Sequence, residues 1–179
     1  MTLIPRPSHN PFNLRVMLCC LLLVALQTAA AGGSVTGRPA QIISGDELVL
    51  LESGGGIHRV RLSGIKAHPP NQPWGAAARR HLQALVLGRS VTLYYRSTEQ
   101  TPEVRGQLKH GGADINIRML SAGLAWLDPA GLSPAEVEEY AAAEQRAQAA
   151  GLGIWSDAGR EAQPRSIRVP GGPQFRIRP

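Results

Sequence analysis

The chain has 179 residues, of which 43% are hydrophobic, 18% charged and 4% aromatic, with a formal net charge of +6. That length holds one compact domain with appendages, and the apolar share is too large for a wholly disordered chain. Its 20 Gly and 14 Pro gather in loops and toward the C-terminus, which excludes a collagen-like repeat.

Residues 1–31 read as a secretory signal peptide. Arg6 and Arg15 give a positive start, Val16 to Leu26 form an apolar run, and Ala29-Ala30-Ala31 offers an A-x-A cleavage site before Gly32. The run is shorter than the ~20 apolar residues that a bilayer span needs, so no stable membrane span is expected once the signal is removed. Both cysteines, Cys19 and Cys20, lie within it. A chain cut after Ala31 therefore has no disulfide, no thiolate nucleophile and no Cys-ligated zinc. The expectation is an exported protein, periplasmic or secreted.

The charge is unevenly placed. Residues 158–179 carry Arg160, Arg165, Arg168, Arg176 and Arg178 against Glu161 alone, and read as a flexible basic tail. Residues 32–157 are neutral, with twelve basic and twelve acidic side chains. A domain that held nucleic acid by bulk charge would itself be basic. Anion binding by this core must come from local placement of charge.

Residues 32–39 read as an N-terminal linker and residues 40–157 as the folded domain. Gln41 to Ile43 and Glu47 to Glu52 read as strands around a Ser44-Gly45 turn. Ser53-Gly54-Gly55-Gly56 is a hairpin turn, because Gly supplies the positive φ of tight reversals. Ile57 to Leu62 alternates, with Val60 and Leu62 inward and Arg59 and Arg61 outward. A loop with three prolines follows over 63–73, then a helix from Trp74 to Leu87 that Gly88 ends. Ser90 to Arg96 is a strand, Ser97 to Arg105 a polar loop, and Gly106 to His110 a short strand before Gly111-Gly112. Ile115 to Ala122 reads as a short helix and Leu124 to Leu127 as extended. Ser133-Pro134-Ala135-Glu136 is a capping-box start for a helix to about Ala150. The expected core is Val49, Val60, Leu62, Leu82, Leu85, Val91, Leu93, Ile115, Leu120 and Leu124. Trp126 and Trp155 are expected to pack, and one of Tyr94 and Tyr95 to face outward. Short strands with Gly turns and a few helices suggest a barrel such as the OB-fold.

Several phrases together resemble the staphylococcal nuclease (thermonuclease) family. Ile42-Ile43-Ser44-Gly45-Asp46-Glu47 is similar to its V-I-D-G-D-T turn, and Arg59-Val60-Arg61-Leu62-Ser63-Gly64-Ile65 to its R-V-R-L-x-G-I strand. Gln72-Pro73-Trp74-Gly75-Ala76-Ala77-Ala78 resembles the Q-P-[YW]-G-x-x-A start of its first helix. Asp114-Ile115-Asn116, Ser121-Ala122-Gly123-Leu124-Ala125-Trp126 and Gly153-Ile154-Trp155-Ser156 resemble its D-V-N, R-A-G-L-A-W and G-[LI]-W-S segments. The resemblance covers about residues 40–157, in order. It implies an α+β fold that is mainly β barrel, a five-stranded OB-fold barrel with three packed helices. It also implies Ca²⁺-dependent hydrolysis of DNA and RNA phosphodiesters.

That chemistry needs carboxylate oxygens for a hard cation, a general base for water, and guanidiniums for phosphoryl charge. By the resemblance, Asp46 matches a metal ligand and Arg61 the first catalytic Arg. The pattern then departs. Where the family has D-[AT]-P-E, this chain has Lys66-Ala67-His68-Pro69, so a second ligand becomes an ammonium and the general base a proline. The second catalytic Arg position falls on Glu103, with Arg105 two residues on as a possible substitute. An ammonium is donor-only and repels a cation. Lys66 with Arg61 and Arg59 instead suggests an anion site, so no cofactor is expected although the resemblance implies Ca²⁺. His68, expected to be a solvated imidazole, and Glu47 and Glu103 are the other groups from which a base would be rebuilt.

Three readings follow. One is a nuclease-like domain that binds nucleic acid or another anion with little or no hydrolysis. Another is an active nuclease with a rebuilt site. The third is an exported interaction module whose basic C-terminal arm takes an anionic polymer or a protein partner.

Overall fold

The computed structural model describes residues 32–96 and 103–157. The expected signal peptide and basic tail, and most of the polar loop after Arg96, lie outside the described residues.

The elements run β1 (Gly33–Ile42), β2 (Glu47–Glu52), β3 (Ile57–Leu62), β4 (Ile65–Lys66), α1 (Gly75–Val86), β5 (Val91–Tyr95), β6 (Glu103–His110), β7 (Ala113–Asp114), α2 (Ile115–Ser121), β8 (Trp126–Leu127) and α3 (Pro134–Ala149). A short 3-10 turn, Gly153–Trp155, follows. One sheet runs in the order β3-β2-β1-β5-β6-β7, and a parallel pairing of β3 with β6 closes its first five strands into a barrel. With three helices packed on it, this is the OB-fold barrel expected from the sequence. Closure leaves β3 and β6 with no exposed edge between them, and it places their outward side chains side by side.

The barrel interior is filled by the inward residues of alternating strands, among them Val35, Leu48, Leu50, Val60, Leu62, Leu93 and Leu108. Helix α1 buries Ala78, Leu82 and Val86, a four-residue spacing that keeps one face on the barrel. Leu82 is fully buried, and such a side chain contributes about 1.5–3 kcal/mol. Helix α3 begins with the expected capping box: the Ser133 hydroxyl accepts from the Glu136 amide, and the Glu136 carboxylate accepts from the Ser133 amide at 2.7 Å.

Three expectations are corrected. The stretch 32–39, read as a linker, forms most of β1, the strand between β2 and β5. Its inward positions are Val35, Gly37 and Pro39, and the last two give no strand-like apolar signal, so the alternation is broken in the sequence. A Cβ on Gly37 would lie 2.2 Å from the Leu51 carbonyl oxygen. On β2 the inward residues are Leu48 and Leu50, while Val49 is half-buried and so outside the innermost core. Leu85 and Leu124 are likewise partly buried. Finally, β6 begins at Glu103, so Glu103 and Arg105, read as loop, stand on a strand in register with β3.

Candidate functional site

The described residues enclose a cleft of about 1140 Å³ beside the β3–β6 seam. Asp46, Arg61, Lys66, Glu103 and Arg105 line it, with Tyr94, Tyr95 and Lys109 farther along β5 and β6.

Each side chain has a local reason for its place. Asp46 is on the β1–β2 turn, which is tied down when the Ile43 and Ser44 amides donate to the Glu47 carbonyl at 2.9 and 3.1 Å. The Leu62 amide donates to the Asp46 carbonyl at 2.8 Å, joining turn to β3. The Ser44 hydroxyl donates to Asp46 Oδ1 at 2.6 Å. Arg61 is an outward residue of β3. Its register partners are Glu47 on β2 and Arg105 on β6. Lys66 is on β4, held opposite Trp126 of β8, and its side chain is exposed.

Arg61 is the hub of the charge arrangement. Its Nε donates to Glu103 Oε1 at 2.7 Å and its Nη2 to Glu103 Oε2 at 3.1 Å, a two-point pairing. The same Nη2 lies 3.4 Å from Glu47 Oε2, and Nη1 lies 3.7 Å from Asp46 Oδ2. The hydrogen bond to Glu103 raises the Arg61 pKa further, against some desolvation. The same bond lowers the Glu103 carboxyl below the usual carboxylate range. Glu103 also approaches Arg105 Nε, at 3.6 Å, and so lies between two arginines that face each other in register. Arg59 is ion-paired to Glu47.

A buried asparagine fixes the two strands. Asn116 Nδ2 donates to the Ser63 carbonyl at 2.7 Å and to the Gly106 carbonyl at 3.4 Å, while its Oδ1 accepts from the Leu108 amide at 3.1 Å. It thereby joins the turn after β3 to β6. Beside it, Asp114 caps α2 at the Ile117 amide and accepts from Gln107 and the Tyr140 hydroxyl. Burial, with Asp114 beside it, pushes the Tyr140 phenol well above its ordinary range.

Among the residues singled out in the sequence, Asp46, Arg61, Lys66, Glu103 and Arg105 come together. Arg59, Glu47, His68 and Pro69 are not among the residues lining the cleft. His68, expected to be solvated, is buried: its Nδ1 pairs with Gln72 Oε1 at 3.2 Å and its ring meets Trp126 edge-on at a centroid distance of 4.4 Å. Both Trp126 and Trp155 are partly buried, and both Tyr94 and Tyr95 reach the cleft, Tyr94 being the more exposed. Sequence reading missed Lys109, which lies over the Tyr94 ring at 5.6 Å. The outward alternation Glu103, Arg105, Gln107, Lys109 was the signal that would have found it.

The donor set does not fit a calcium ion, which takes about six to eight oxygen ligands. Asp46 presents one carboxylate already engaged by Ser44 and faced by Arg61. Lys66, a cationic residue, lines the same cleft. Among the described residues no group of three or more His, Cys, Asp or Glu side chains is placed to hold a metal ion. What the arrangement offers instead is Arg61, Lys66 and Arg105 lining one concave surface, side chains whose chemistry suits phosphate or carboxylate oxygens.

A sequence model of the family described as staphylococcal nuclease homologue matches residues 59–157. The chain belongs to the staphylococcal nuclease family. It is 29% identical over 152 residues to an uncharacterized endonuclease of Haemophilus influenzae, an alignment covering 81% of this chain and 80% of that one. It is 28% identical over 127 residues to an uncharacterized endonuclease of Escherichia coli, covering 69% of this chain and 79% of that one. It is also 30% identical over 104 residues to the probable staphylococcal-like nuclease CAN3 of Oryza sativa subsp. japonica, covering 58% of this chain and 27% of that protein. The family assignment agrees with the closed barrel and its three helices.

Proposed function

We propose that this staphylococcal nuclease-family protein is exported, to the periplasm or the medium, and binds nucleic acid or a similar phosphate-rich polymer with little or no hydrolysis. The observation that carries this reading is that Lys66, an exposed side chain, lines the same cleft as Asp46 and Arg61. A fixed ammonium supplies positive charge for phosphate without metal chemistry, and it opposes a divalent ion. Pro69, at the position that the family resemblance assigns to the general base, has no proton-accepting side chain. The neutral charge of residues 32–157 suits a site built by local placement. Export is supported by the apolar run ahead of Ala31 and by β1 starting at Gly33, so cleavage after Ala31 leaves the barrel strand whole. Among the described residues, no helix is long and apolar enough to cross a membrane.

The test is fluorescence anisotropy with a labelled DNA oligonucleotide across a salt series. Binding that weakens with salt, and that persists when residues 158–179 are removed, supports the cleft over the basic arm. Binding that disappears with those residues favours the interaction-module reading. Export is tested by N-terminal sequencing of the protein from the periplasm or medium, with Gly32 as the expected first residue.

A further inference from the structure

The cleft of this protein already contains an anion of its own. Glu103 meets Arg61 with both carboxylate oxygens, at 2.7 and 3.1 Å, and approaches Arg105 at 3.6 Å. Arg61 and Arg105 are register partners on parallel strands, and two like charges so placed repel unless an anion lies between them. The other carboxylates near Arg61 meet it at one point each, Glu47 at 3.4 Å and Asp46 at 3.7 Å, and each has a second partner, Arg59 for Glu47 and Ser44 for Asp46. Glu103 is the two-point partner of Arg61 among the described residues. A phosphate presents the same pair of oxygens to a guanidinium as a carboxylate does.

We propose that Glu103 is a tethered carboxylate occupying the phosphate seat of the cleft, so that a phosphate-bearing ligand reaches Arg61 by displacing it. This rests on the anion-binding reading and deepens it, because it makes Glu103 the residue that sets affinity. A ligand whose seat is free only part of the time binds more weakly by that fraction. Removing the competitor therefore tightens binding through Arg61 specifically, beyond what loss of one negative charge in the cleft achieves. Asp128 supplies the comparison: it lines the same cleft, and its Oδ1 accepts from the Ala130 amide rather than from an arginine.

The experiment measures anisotropy of a short fluorescein-labelled DNA oligonucleotide on the wild-type protein, Glu103→Gln, Glu103→Ala, Asp128→Asn, Arg61→Ala, and Glu103→Gln combined with Arg61→Ala. Circular dichroism and thermal melting establish that each is folded. The expected result is a gain of about ten-fold for both Glu103 variants, from release of the occupied seat. Asp128→Asn should gain no more than about two- to three-fold, a screened single-charge effect. The Glu103 gain should vanish in the Arg61→Ala background. Binding by the wild type with no greater gain for Glu103→Gln than for Asp128→Asn, or a gain that survives Arg61→Ala, overturns the proposal and leaves the anion-binding reading standing. If neither the wild type nor any folded Glu103 variant binds, the reading and the proposal fall together. A wild type that does not bind beside a Glu103→Gln that does, in a salt-dependent manner, supports the proposal.

Discussion

Asn116 donates to the carbonyl of Ser63 at 2.7 Å, from a side chain with no solvent exposure. This bond, with the pair to β6, holds the seam that sets Arg61 beside Arg105. Asn116→Ala leaves the Leu108 amide and the Ser63 and Gly106 carbonyls without that partner. The expected loss is about 3 kcal/mol, because a buried group left unsatisfied costs ~1–3 kcal/mol. Urea unfolding monitored by circular dichroism measures it, and a loss below about 1 kcal/mol would mean that water replaces the side chain.

Gly45 presses the Asp46 turn against α1. A Cβ there would lie 2.5 Å from Cβ of Ala78 and 2.8 Å from Cβ of Ala67. Gly45→Ala is expected to destabilise by about 1–3 kcal/mol, the usual cost of overpacking. The same thermal or urea titration detects it, and a neutral substitution would show that the turn can move away from the helix.

Lys66 is the cation that distinguishes this cleft. Its side chain is exposed, with no hydrogen bond or ion pair among the described residues. Lys66→Ala is expected to weaken oligonucleotide binding several-fold and to reduce the slope of log K against log salt by about 1, the signature of one lost phosphate contact. An unchanged slope would place the ligand elsewhere.

His81, on α1, has its pKa lowered, mainly by burial and secondarily by Arg118. A histidine whose folded pKa is depressed is protonated more readily in the unfolded chain. Its contribution is complete above the unfolded value, about 6.5, and is lost as pH falls from there through the folded value. Melting temperature should therefore decline on acidification through that window, and His81→Gln should lessen the decline. Glu103 and Glu136 also have depressed values: Arg61 lowers the first, while Ser133 and Arg96 outweigh the effect of burial at the second. Their share of stability persists to lower pH, being lost only below the ordinary carboxylate range. An equal decline in the His81 variant would assign the effect to other groups.

Much of the fold was legible because local chemistry and global packing agree. Ser133 and Glu136 announced α3, and Val60 with Arg61 announced the two faces of β3. The start of β1 was not legible, since Gly37 and Pro39 occupy inward positions where a strand pattern shows apolar residues. At the candidate site, the sequence shows Lys66 and Pro69 where the family resemblance expects carboxylates, and the cleft brings Lys66 together with Asp46 and Arg61. The pairing of Glu103 with Arg61 was not legible, because it arises from parallel closure between strands 42 residues apart, which periodicity cannot register. His68 was misread for a related reason. Its neighbouring prolines suggest an exposed loop, whereas in the fold it is buried, with its ring against Trp126, a contact distant in sequence.

The central claim is that this cleft binds phosphate without metal-dependent hydrolysis, and incubation of the purified protein with DNA and RNA, with and without added Ca²⁺ or Mg²⁺, tests it most directly. The account predicts intact substrate under every condition, at protein concentrations where the oligonucleotide is bound. Metal-dependent cleavage at ordinary enzyme concentrations, abolished by Arg61→Ala, would contradict it.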